Sequence, residues 1–249
     1  MEPQKAIVNP VRNARTPELP PVAIMAATRA DLNSLCRILN LDSDGSRPLF
    51  ISRLYLCRNC SPPFALVGPL IGAPYAAMLL ENLIAWGARK IVFLGWCGAV
   101  AGQINIGDIV LPTAAVIDEG TSRHYFGDRR SIAKPSSRVT ATLQSVLNRN
   151  SISFTEGRIW TTDGIYRETA EKVSTHQASG VLAVEMEVSA LFSVAEYRGV
   201  DVGGLLSVSD DLSSLNWRPG FSDERFKRNR RSVCAVMEHI IFELGIDDG

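Results

Sequence analysis

A strand, a glycine-rich turn, a helix and a second strand follow one another without interruption in the first half of the chain. The apolar run FALVGPL (64–70) has the length of a buried strand, and KIVFLG (90–95) has the same character. Between them, Pro74 suits the first turn of a helix and Gly87 suits its end. A helix that connects two such strands joins parallel neighbours, so the chain is predicted to build a sheet with parallel members.

Strand and helix patterns keep alternating along the rest of the chain, and no linker or change of composition divides it. Residues 1–20 are polar and show neither a period of 2 nor one of 3.6, so they are predicted to form an extended N-terminal arm. Residues 21–249 are predicted to form a single α/β domain. Further strands are predicted at 22–27, 49–56, 108–117, 152–160 and 202–210, and further helices at 32–39, 137–148, 189–199 and 222–244.

The composition narrows the class of protein. Of 249 residues, 46% are apolar and 21% are charged, and 26 basic side chains balance 26 acidic ones. This is typical of a globular chain, and it argues against nucleic-acid binding through bulk positive charge. No apolar run approaches the roughly 20 residues that cross a bilayer, and residues 1–20 lack the apolar core of a secretory signal. We expect a reduced, cytoplasmic protein that binds neither membranes nor nucleic acid.

Two local patterns suggest chemistry that we do not expect here. Cys57 and Cys60 form a C-x-x-C pair, as in half of a zinc site or in a redox motif. Zinc needs four convergent ligands, and no second C-x-x-C or histidine pair follows, so a structural role and no metal site are predicted. The basic run ERFKRNRR (224–231) opens an amphipathic helix and is expected to be a charged surface face.

Carboxyl groups stand where apolar segments end. Glu185 and Glu187 flank Met186, between an apolar stretch and an apolar helix, and Asp210 ends the apolar strand at 202–210. An acid among apolar neighbours needs hydrogen-bond partners such as the paired hydroxyls of a sugar. Ligands of open α/β sheets bind at strand ends, where Asp210 lies. A helix cap for Glu187 and a turn-forming role for Asp210 are the alternatives that the residues leave open.

Five segments resemble the nucleoside phosphorylase and nucleosidase superfamily of trimeric and hexameric type. They occur in family order over about residues 64–211 and read GPLIGAPYAAMLLENLIAWGARKIVFLGWCGAV, INIGDIVLP followed by DEGTSRHY, TTDGIYRE, VLAVEMEVSALFSVAEYRGV and LLSVSD. The resemblance implies an α/β fold with a mixed β-sheet flanked by α-helices. It also implies an enzyme that cleaves the N-glycosidic bond of a small-molecule nucleoside without a cofactor, as a homo-oligomer with active sites near subunit interfaces.

The resemblance assigns roles to the acids already noted. Glu187 would accept hydrogen bonds from the ribose hydroxyls, with Met186 packed against the sugar. Asp210 would donate a proton or a strong hydrogen bond to the departing base, and general acid help of this kind is worth about 10²–10⁴-fold. Ile165 and Tyr166 would line the base pocket. The other candidate substrate-binding residues are Glu185, Phe93, Trp96, Cys97 and Gly98.

The resemblance also bears on the base. Uridine-specific members share a Gln and an Arg soon after a Phe-Tyr pair, whereas this chain has RETA (167–170) after Tyr166. The V-S-D ending at Asp210 is similar to that of purine-cleaving members. A purine nucleoside is therefore the predicted substrate.

The phosphate-binding part of the resemblance is incomplete. Family phosphorylases have a G-D-x-x-R-like loop and an arginine on the strand before G-T/S-C-G. Here the loop reads MAATRADL, and Phe93 and Trp96 stand where that arginine and the hydroxyl stand. Arg29 of this loop, and Gly95 between Phe93 and Trp96, are the candidate phosphate-binding residues. The acidic cluster of hydrolase members is not matched either, and Asp31 is the nearest acid.

The prediction is therefore phosphorolysis, which uses phosphate as co-substrate and gives a free base and ribose 1-phosphate. Two alternatives stay open. One is a hydrolytic nucleosidase with water as the nucleophile, acting on substrates of the methylthioadenosine or adenosylhomocysteine type. The other is a catalytically impaired member that binds nucleosides.

Overall fold

Most segments that the sequence marks as apolar strands lie in one sheet at the centre of the protein. A computed structural model describes residues 6–14, 16–42 and 45–246. The strands are β1 (Val22–Ala26), β2 (Arg47–Leu49), β3 (Ser52–Cys57), β4 (Phe64–Gly68), β5 (Lys90–Ala99), β6 (Ile109–Asp118), β7 (Ile132–Ala133), β8 (Thr155–Thr162), β9 (Val181–Glu185), β10 (Asp201–Asp211) and β11 (Arg218–Pro219). The helices are α1 (Arg29–Ile38), α2 (Ala73–Trp86), α3 (Arg123–Phe126), α4 (Ser137–Arg149), α5 (Ala170–Ala178), α6 (Val188–Arg198), α7 (Glu224–Ala235) and α8 (Met237–Ile246).

The sheet is mixed, and part of it closes on itself. β5 pairs in parallel with β1 and β10, and it pairs antiparallel with β9 at Gly98 and Ala99. β6 pairs with both β10 and β8, and β8 pairs with β9, so these strands and β5 form a closed ring. The predicted α/β fold, a mixed sheet flanked by helices, is confirmed.

Helices cover both faces of the sheet. Side chains of α2 and α6 pack on one face, and side chains of α1, α4, α7 and α8 pack on the other. Every residue of β1 and β4 is buried as a result, and strands covered on both faces read as continuous apolar runs. Each large apolar side chain buried in this way stabilises the fold by about 1.5–3 kcal/mol. The strand ends therefore belong to a rigid frame.

Two predicted elements are divided in the structure, and helix α5 has no counterpart among the predictions. The run 49–56 is two strands, because Phe50 takes a left-handed φ of 55° and turns the chain between β2 and β3. The predicted last helix, 222–244, ends at Val236 and restarts as α8, so that its halves pack on α1 and α4 respectively. The sequence does not predict helix α5, because Val173 is its one buried residue and the helix therefore lacks an apolar stripe.

The predicted arm lies along α2. Residues 6–14 and 16–20 form neither helix nor strand, and the Val11 carbonyl accepts a hydrogen bond of 3.1 Å from the Trp86 indole. Positions 1–5 and 15 of the predicted arm, and 43, 44 and 247–249 of the predicted domain, lie outside the described residues. The boundary between arm and domain stays a prediction. In the described part of the chain, every helix is too short or too polar to cross a bilayer.

Cys57 and Cys60 are joined by a disulfide in the loop between β3 and β4. Their Cα atoms lie 5.4 Å apart, a separation that suits such a bond. The expectation of a fully reduced chain is wrong at this loop. While the bond is formed, neither sulfur is available as a zinc ligand, so a structural role agrees with this arrangement.

Candidate active site

A row of residues crosses four neighbouring strands of the closed ring. Thr161 on β8 lies opposite Glu185 on β9, the adjacent Val184 lies opposite Gly98 on β5, and Gly98 lies opposite Asp210 on β10. Neighbouring strands are about 4.8 Å apart, so Val184 and Asp210 stand about 10 Å apart on either side of Gly98. The fold thus brings two of the predicted acids, Glu185 and Asp210, to the same part of the sheet.

Gly98 leaves the space that the Asp210 carboxylate occupies. A Cβ atom on Gly98 would lie 2.9 Å from Oδ2 of Asp210 and 2.5 Å from Cδ1 of Leu212. The pairing of β10 with β5 shifts register between Val208 and Asp210, and a bulge of this kind re-aims the side chains that follow it. The glycine and the bulge together place the Asp210 side chain against β5.

Glu185 supports the start of α6. Its Oε2 accepts hydrogen bonds from the backbone N–H groups of Glu187 (2.6 Å) and Val188 (2.8 Å), and its Oε1 accepts one from the Thr161 hydroxyl. The first N–H groups of a helix have no partner within the helix, and an acid there satisfies them and opposes the positive end of the dipole. Glu185 therefore fixes the backbone at Glu187. Its predicted contact with substrate stays a prediction.

Glu187 occupies the position before α6, but its side chain reaches another helix. Its Oε1 accepts a hydrogen bond of 2.5 Å from the backbone N–H of Gly72, at the start of α2. Gly72 has a φ of 81°, a conformation that glycine adopts without strain. Glu187 thus holds the N-cap position of α6, as the alternative has it, but its side chain makes no capping hydrogen bond, and the Glu185 carboxylate bonds the N–H groups there instead.

Burial changes the acid–base behaviour of three groups here. It raises the pKa of Glu187, although the Gly72 N–H acts in the opposite direction. It also raises the pKa of Glu185, and the charge of Glu187 adds to this effect. Burial raises the pKa of the Cys97 thiol, and the charges of Asp210 and Glu185 raise it further. Cys97 is therefore a neutral thiol near both acids.

Both carboxylate oxygens of Asp210 accept hydrogen bonds. The Ser209 hydroxyl donates to Oδ1 at 2.6 Å, and the indole N–H of Trp217 donates to Oδ2 at 2.9 Å. Burial raises the pKa of the neighbouring Glu168 carboxyl, and the charge of Asp210 adds to this effect, bringing it to about 7. The turn-forming alternative for Asp210 is wrong, because Asp211 is the residue that accepts from the backbone N–H two positions later.

An indole and a buried ion pair fill the predicted phosphate-binding region. Trp96 Nε1 donates to Oδ2 of Asp31 at 2.6 Å, and Arg230 donates to Oδ1 of the same residue at 2.7 Å. The Thr28 hydroxyl also donates to Asp31, at 2.8 Å. Asp31 is fully buried, so the Arg230 charge balances it. The expectation that 224–231 is a solvated face is therefore wrong at Arg230, which turns inward to meet Asp31.

The other phosphate-side candidates are Phe93, Gly95 and Arg29. Phe93 is fully buried in the core, and a Cβ atom on Gly95 would lie 2.7 Å from its ring. Phe93 therefore has a packing role, which corrects its predicted contact with substrate. Arg29 is exposed at the start of α1. Phosphate binding by Arg29 and Gly95 stays a prediction.

The base-side candidates lie on the turn that follows β8. Ile165 and Tyr166 are both exposed there, and Met186 is half-buried between the two glutamates. Contacts of these side chains with a nucleoside stay predictions. Among the residues that the structure describes, no group of three or more His, Cys, Asp or Glu side chains is placed to hold a metal ion.

A cavity of about 430 Å³ lies beside the start of α2, bordered by Pro74, Thr121 and Asp163. A second cavity, of about 810 Å³, lies between the arm and α2. Neither is lined by Glu187 or Asp210. Pro74, at the border of the smaller cavity, follows two residues after Gly72, whose N–H donates to Glu187.

Three residues of this region were not predicted as site residues. Trp217 belongs to no motif, and the basic run 224–231 gives no sign that Arg230 differs from its charged neighbours. Nothing local marks the pairing of Arg230 with a residue 199 positions away. Glu168, by contrast, belongs to the TTDGIYRE segment, and an acid that close to a strand end was a usable signal.

The sequence profile of the Phosphorylase superfamily matches residues 21–242. The chain belongs to this superfamily. Guanosine phosphorylase of Halorubrum lacusprofundi is 30% identical over 154 residues, which are 62% of this chain and 64% of that protein. The DeoD-type purine nucleoside phosphorylase of Alkaliphilus metalliredigens is 31% identical over 146 residues, 58% of this chain and 63% of that protein. The matched region thus spans less than two thirds of each relative.

Solved structures show the same superfamily fold over more of the chain. The crystal structure of uridine phosphorylase from Vibrio fischeri matches with a TM-score of 0.78 at 20% identity, over 93% of this chain and all of that one. At this identity the likeness establishes the fold. It does not choose between a purine and a pyrimidine substrate.

Proposed function

We propose that this protein is a nucleoside phosphorylase, a pentosyltransferase that cleaves the N-glycosidic bond of a nucleoside and transfers the sugar to phosphate. The observation that carries this proposal is the placement of Glu187 and Asp210. Both lie where the closed ring of strands ends, Glu187 beside the start of α2 and Asp210 against Gly98. The names of two relatives, a guanosine phosphorylase and a purine nucleoside phosphorylase, also support this reaction.

The reaction assigns a separate task to each acid. Positive charge develops on the sugar as the glycosidic bond breaks, so Glu187 would hold the ribose hydroxyls and stabilise that charge. Negative charge develops on the departing base, and Asp210 would transfer a proton to it. Glu185 would hold the backbone that carries Glu187, since its Oε2 accepts from the N–H groups of Glu187 and Val188 while its Oε1 is fixed by the Thr161 hydroxyl.

A second candidate, hydrolysis, rests on the residues around Trp96. A phosphate dianion needs cationic or N–H donors, and here the Trp96 indole N–H and the Arg230 guanidinium both donate to Asp31. Arg29, at the start of α1, is an exposed cation close in sequence to Asp31. Water needs no such ligands.

Base release with and without phosphate separates the two candidates. We expect release from a purine nucleoside to require phosphate and to yield ribose 1-phosphate. Release at an equal rate in phosphate-free buffer, with free ribose as product, would establish the hydrolase. Failure to release base from guanosine, inosine, adenosine, methylthioadenosine or uridine would contradict both, and calorimetric binding of a nucleoside would then indicate an impaired, nucleoside-binding member.

We further propose a purine base that carries N–H donors, such as guanine or hypoxanthine. Glu168 supports this choice, because it is partly buried near Asp210, and its carboxylate could accept from the N1–H that guanine and hypoxanthine share and adenine lacks. Glu168→Gln is expected to lower kcat/KM for guanosine by about tenfold, the effect of one lost charged hydrogen bond, and to change adenosine little. Competition assays with both nucleosides measure this ratio. An unchanged ratio would remove Glu168 from base recognition.

The proposed enzyme acts as a homo-oligomer. Large apolar side chains are exposed around α2, among them Phe50, Ile51, Met78 and Tyr197. A second copy seated on this surface would bury them and close the cavities that border the helix. Light scattering of the purified protein measures the mass, and a monomer would contradict the proposal. A cytoplasmic location stays a prediction.

A further inference from the structure

The segment that follows β10 places a tryptophan directly on Asp210. The indole N–H of Trp217 donates to Oδ2 of Asp210 at 2.9 Å, although 63% of the Trp217 surface is exposed. An indole this exposed gains little from burial. The position of the Trp217 side chain is therefore set by the backbone of its segment and by its hydrogen bond to Asp210.

The segment is fixed at both ends. Strand β11 pairs antiparallel with β10 through Pro219 and Asp210, and Leu212 donates its N–H to the Ala99 carbonyl at 2.9 Å. Arg218, next to Trp217, donates to Oδ2 of Asp211 at 2.8 Å. A side chain held by a strand pair and an ion pair offers its N–H in one place, as a positioning group requires.

The second oxygen of Asp210 has an adjustable partner. The Ser209 hydroxyl lies 2.6 Å from Oδ1 of Asp210 and 3.2 Å from the Cys97 carbonyl oxygen, so it can donate to either acceptor. A hydroxyl that turns away leaves Oδ1 free to carry a proton. The indole has no such freedom, because it donates and never accepts.

We propose that Trp217 is a positioning residue that keeps Oδ2 of Asp210 an acceptor and so confines the transferable proton to Oδ1. This rests on the proposed function. As the glycosidic bond breaks, its electron pair goes to the base nitrogen, the proton of Oδ1 moves to a ring nitrogen of the base, and Asp210 is left ionised. Trp217 and Ser209 then both donate to the carboxylate, which is the arrangement in this structure.

Trp217→Phe removes the N–H and keeps an aromatic ring. With guanosine, the variant is expected to lose about 10- to 100-fold in kcat, part of the effect of a general acid, with KM changed less than about threefold. With 7-methylguanosine, whose methylated ring leaves without a proton, kcat is expected to stay within about threefold. Equal losses on both substrates, or none on guanosine, would overturn the proposal.

Two comparisons separate the N–H from the ring. Trp217→Leu is expected to match Trp217→Phe, because both lack the donor; a loss confined to the leucine variant would assign the effect to ring packing and overturn the proposal. Leu215→Ala removes an exposed apolar side chain of the same segment, whereas the bonds to Asp210 come from Ser209 and Trp217. It is expected to leave the ratio of guanosine to 7-methylguanosine turnover unchanged, and a changed ratio would count against Trp217.

The contact can also be tested without turnover. Asp210→Asn is expected to shift the indole N–H resonance of Trp217 in a nitrogen–proton correlation spectrum, with the resonance identified by its loss in Trp217→Phe. An unmoved resonance would overturn the proposal. A wild-type protein that releases no base would contradict the proposed function, and the spectrum would still decide whether Trp217 holds Asp210.

Discussion

Replacing Glu187 by glutamine is expected to lower kcat for a nucleoside by about 10²–10³-fold, as for removal of a single group that stabilises transition-state charge. The amide keeps an oxygen that can accept from Gly72, which lies 2.5 Å from the carboxylate oxygen. It cannot supply the negative charge that opposes the charge developing on the sugar. Steady-state rates of base release measure the effect.

Glu238→Gln is the matched control, because Glu238 is an exposed glutamate on α8. It should retain wild-type rates, and wild-type rates in Glu187→Gln as well would remove Glu187 from the mechanism. Folding is followed separately. Burial raises the pKa of Glu187 above its ordinary 4.5, so the folded protein keeps a proton that the unfolded chain has already lost.

This difference fixes the sign of the pH dependence. Because the unfolded state binds fewer protons, the wild type loses stability as the pH rises above 4.5, the ordinary glutamate pKa. Glutamine has no proton to lose, so Glu187→Gln should gain stability relative to the wild type over that range. Denaturant titrations at several pH values measure it, and a relative loss would indicate that the activity change reflects damaged structure.

Local patterns were sufficient for most of the fold. β1, β4 and β5 are buried on both faces, so the length of their apolar runs predicts them. Helix α2 is predicted by the proline at its start, Pro74, and the glycine at its end, Gly87. The errors have physical causes. The break at Val236 interrupts a helix whose apolar stripe continues, so periodicity does not reveal it. The turn at Phe50 has a left-handed backbone conformation, but no glycine stands there to indicate it in the sequence.

The candidate site was partly predictable for a related reason. Glu187 and Asp210 stand out because an acid at the end of an apolar segment needs a partner, and that is a local property. The partners themselves depend on strand register and on distant segments. Gly98 makes room for Asp210 only because β10 lies parallel to β5 with a bulge between Val208 and Asp210. No local spacing contains that information.

The sequence also does not reveal the contacts around Trp96, and these contacts bear on whether phosphate or water is the nucleophile. The sequence reveals that Phe93 and Trp96 stand where the resemblance expects an arginine and a hydroxyl, but not what they contact. In the structure Phe93 is a core residue, whereas Trp96 bonds to Asp31. Asp31 and Arg230 balance each other, so an incoming phosphate would have to compete with a buried carboxylate for the same cation. This competition makes phosphate dependence the decisive measurement.

Replacing Asp210 by asparagine is expected to lower kcat for guanosine by about 10²–10⁴-fold, the range for loss of a general acid. The amide keeps an oxygen that can accept from Trp217, which lies 2.9 Å from Oδ2. It has no acidic proton to transfer. With 7-methylguanosine, whose leaving group needs no proton, the loss is expected to stay below about tenfold. The ratio of the two rates isolates proton transfer from binding.

The ratio of guanosine to 7-methylguanosine rates also distinguishes the role of Asp210 from that of Trp217. Asp210→Asn removes the proton itself, whereas Trp217→Phe removes the bond that orients its donor, so the aspartate variant should show the larger change. Asp128→Asn is the matched control, an exposed aspartate in a surface ion pair with Arg123 that contributes little to stability. Equal losses on guanosine and 7-methylguanosine would mean that Asp210 holds the segment after β10 in place and donates no proton.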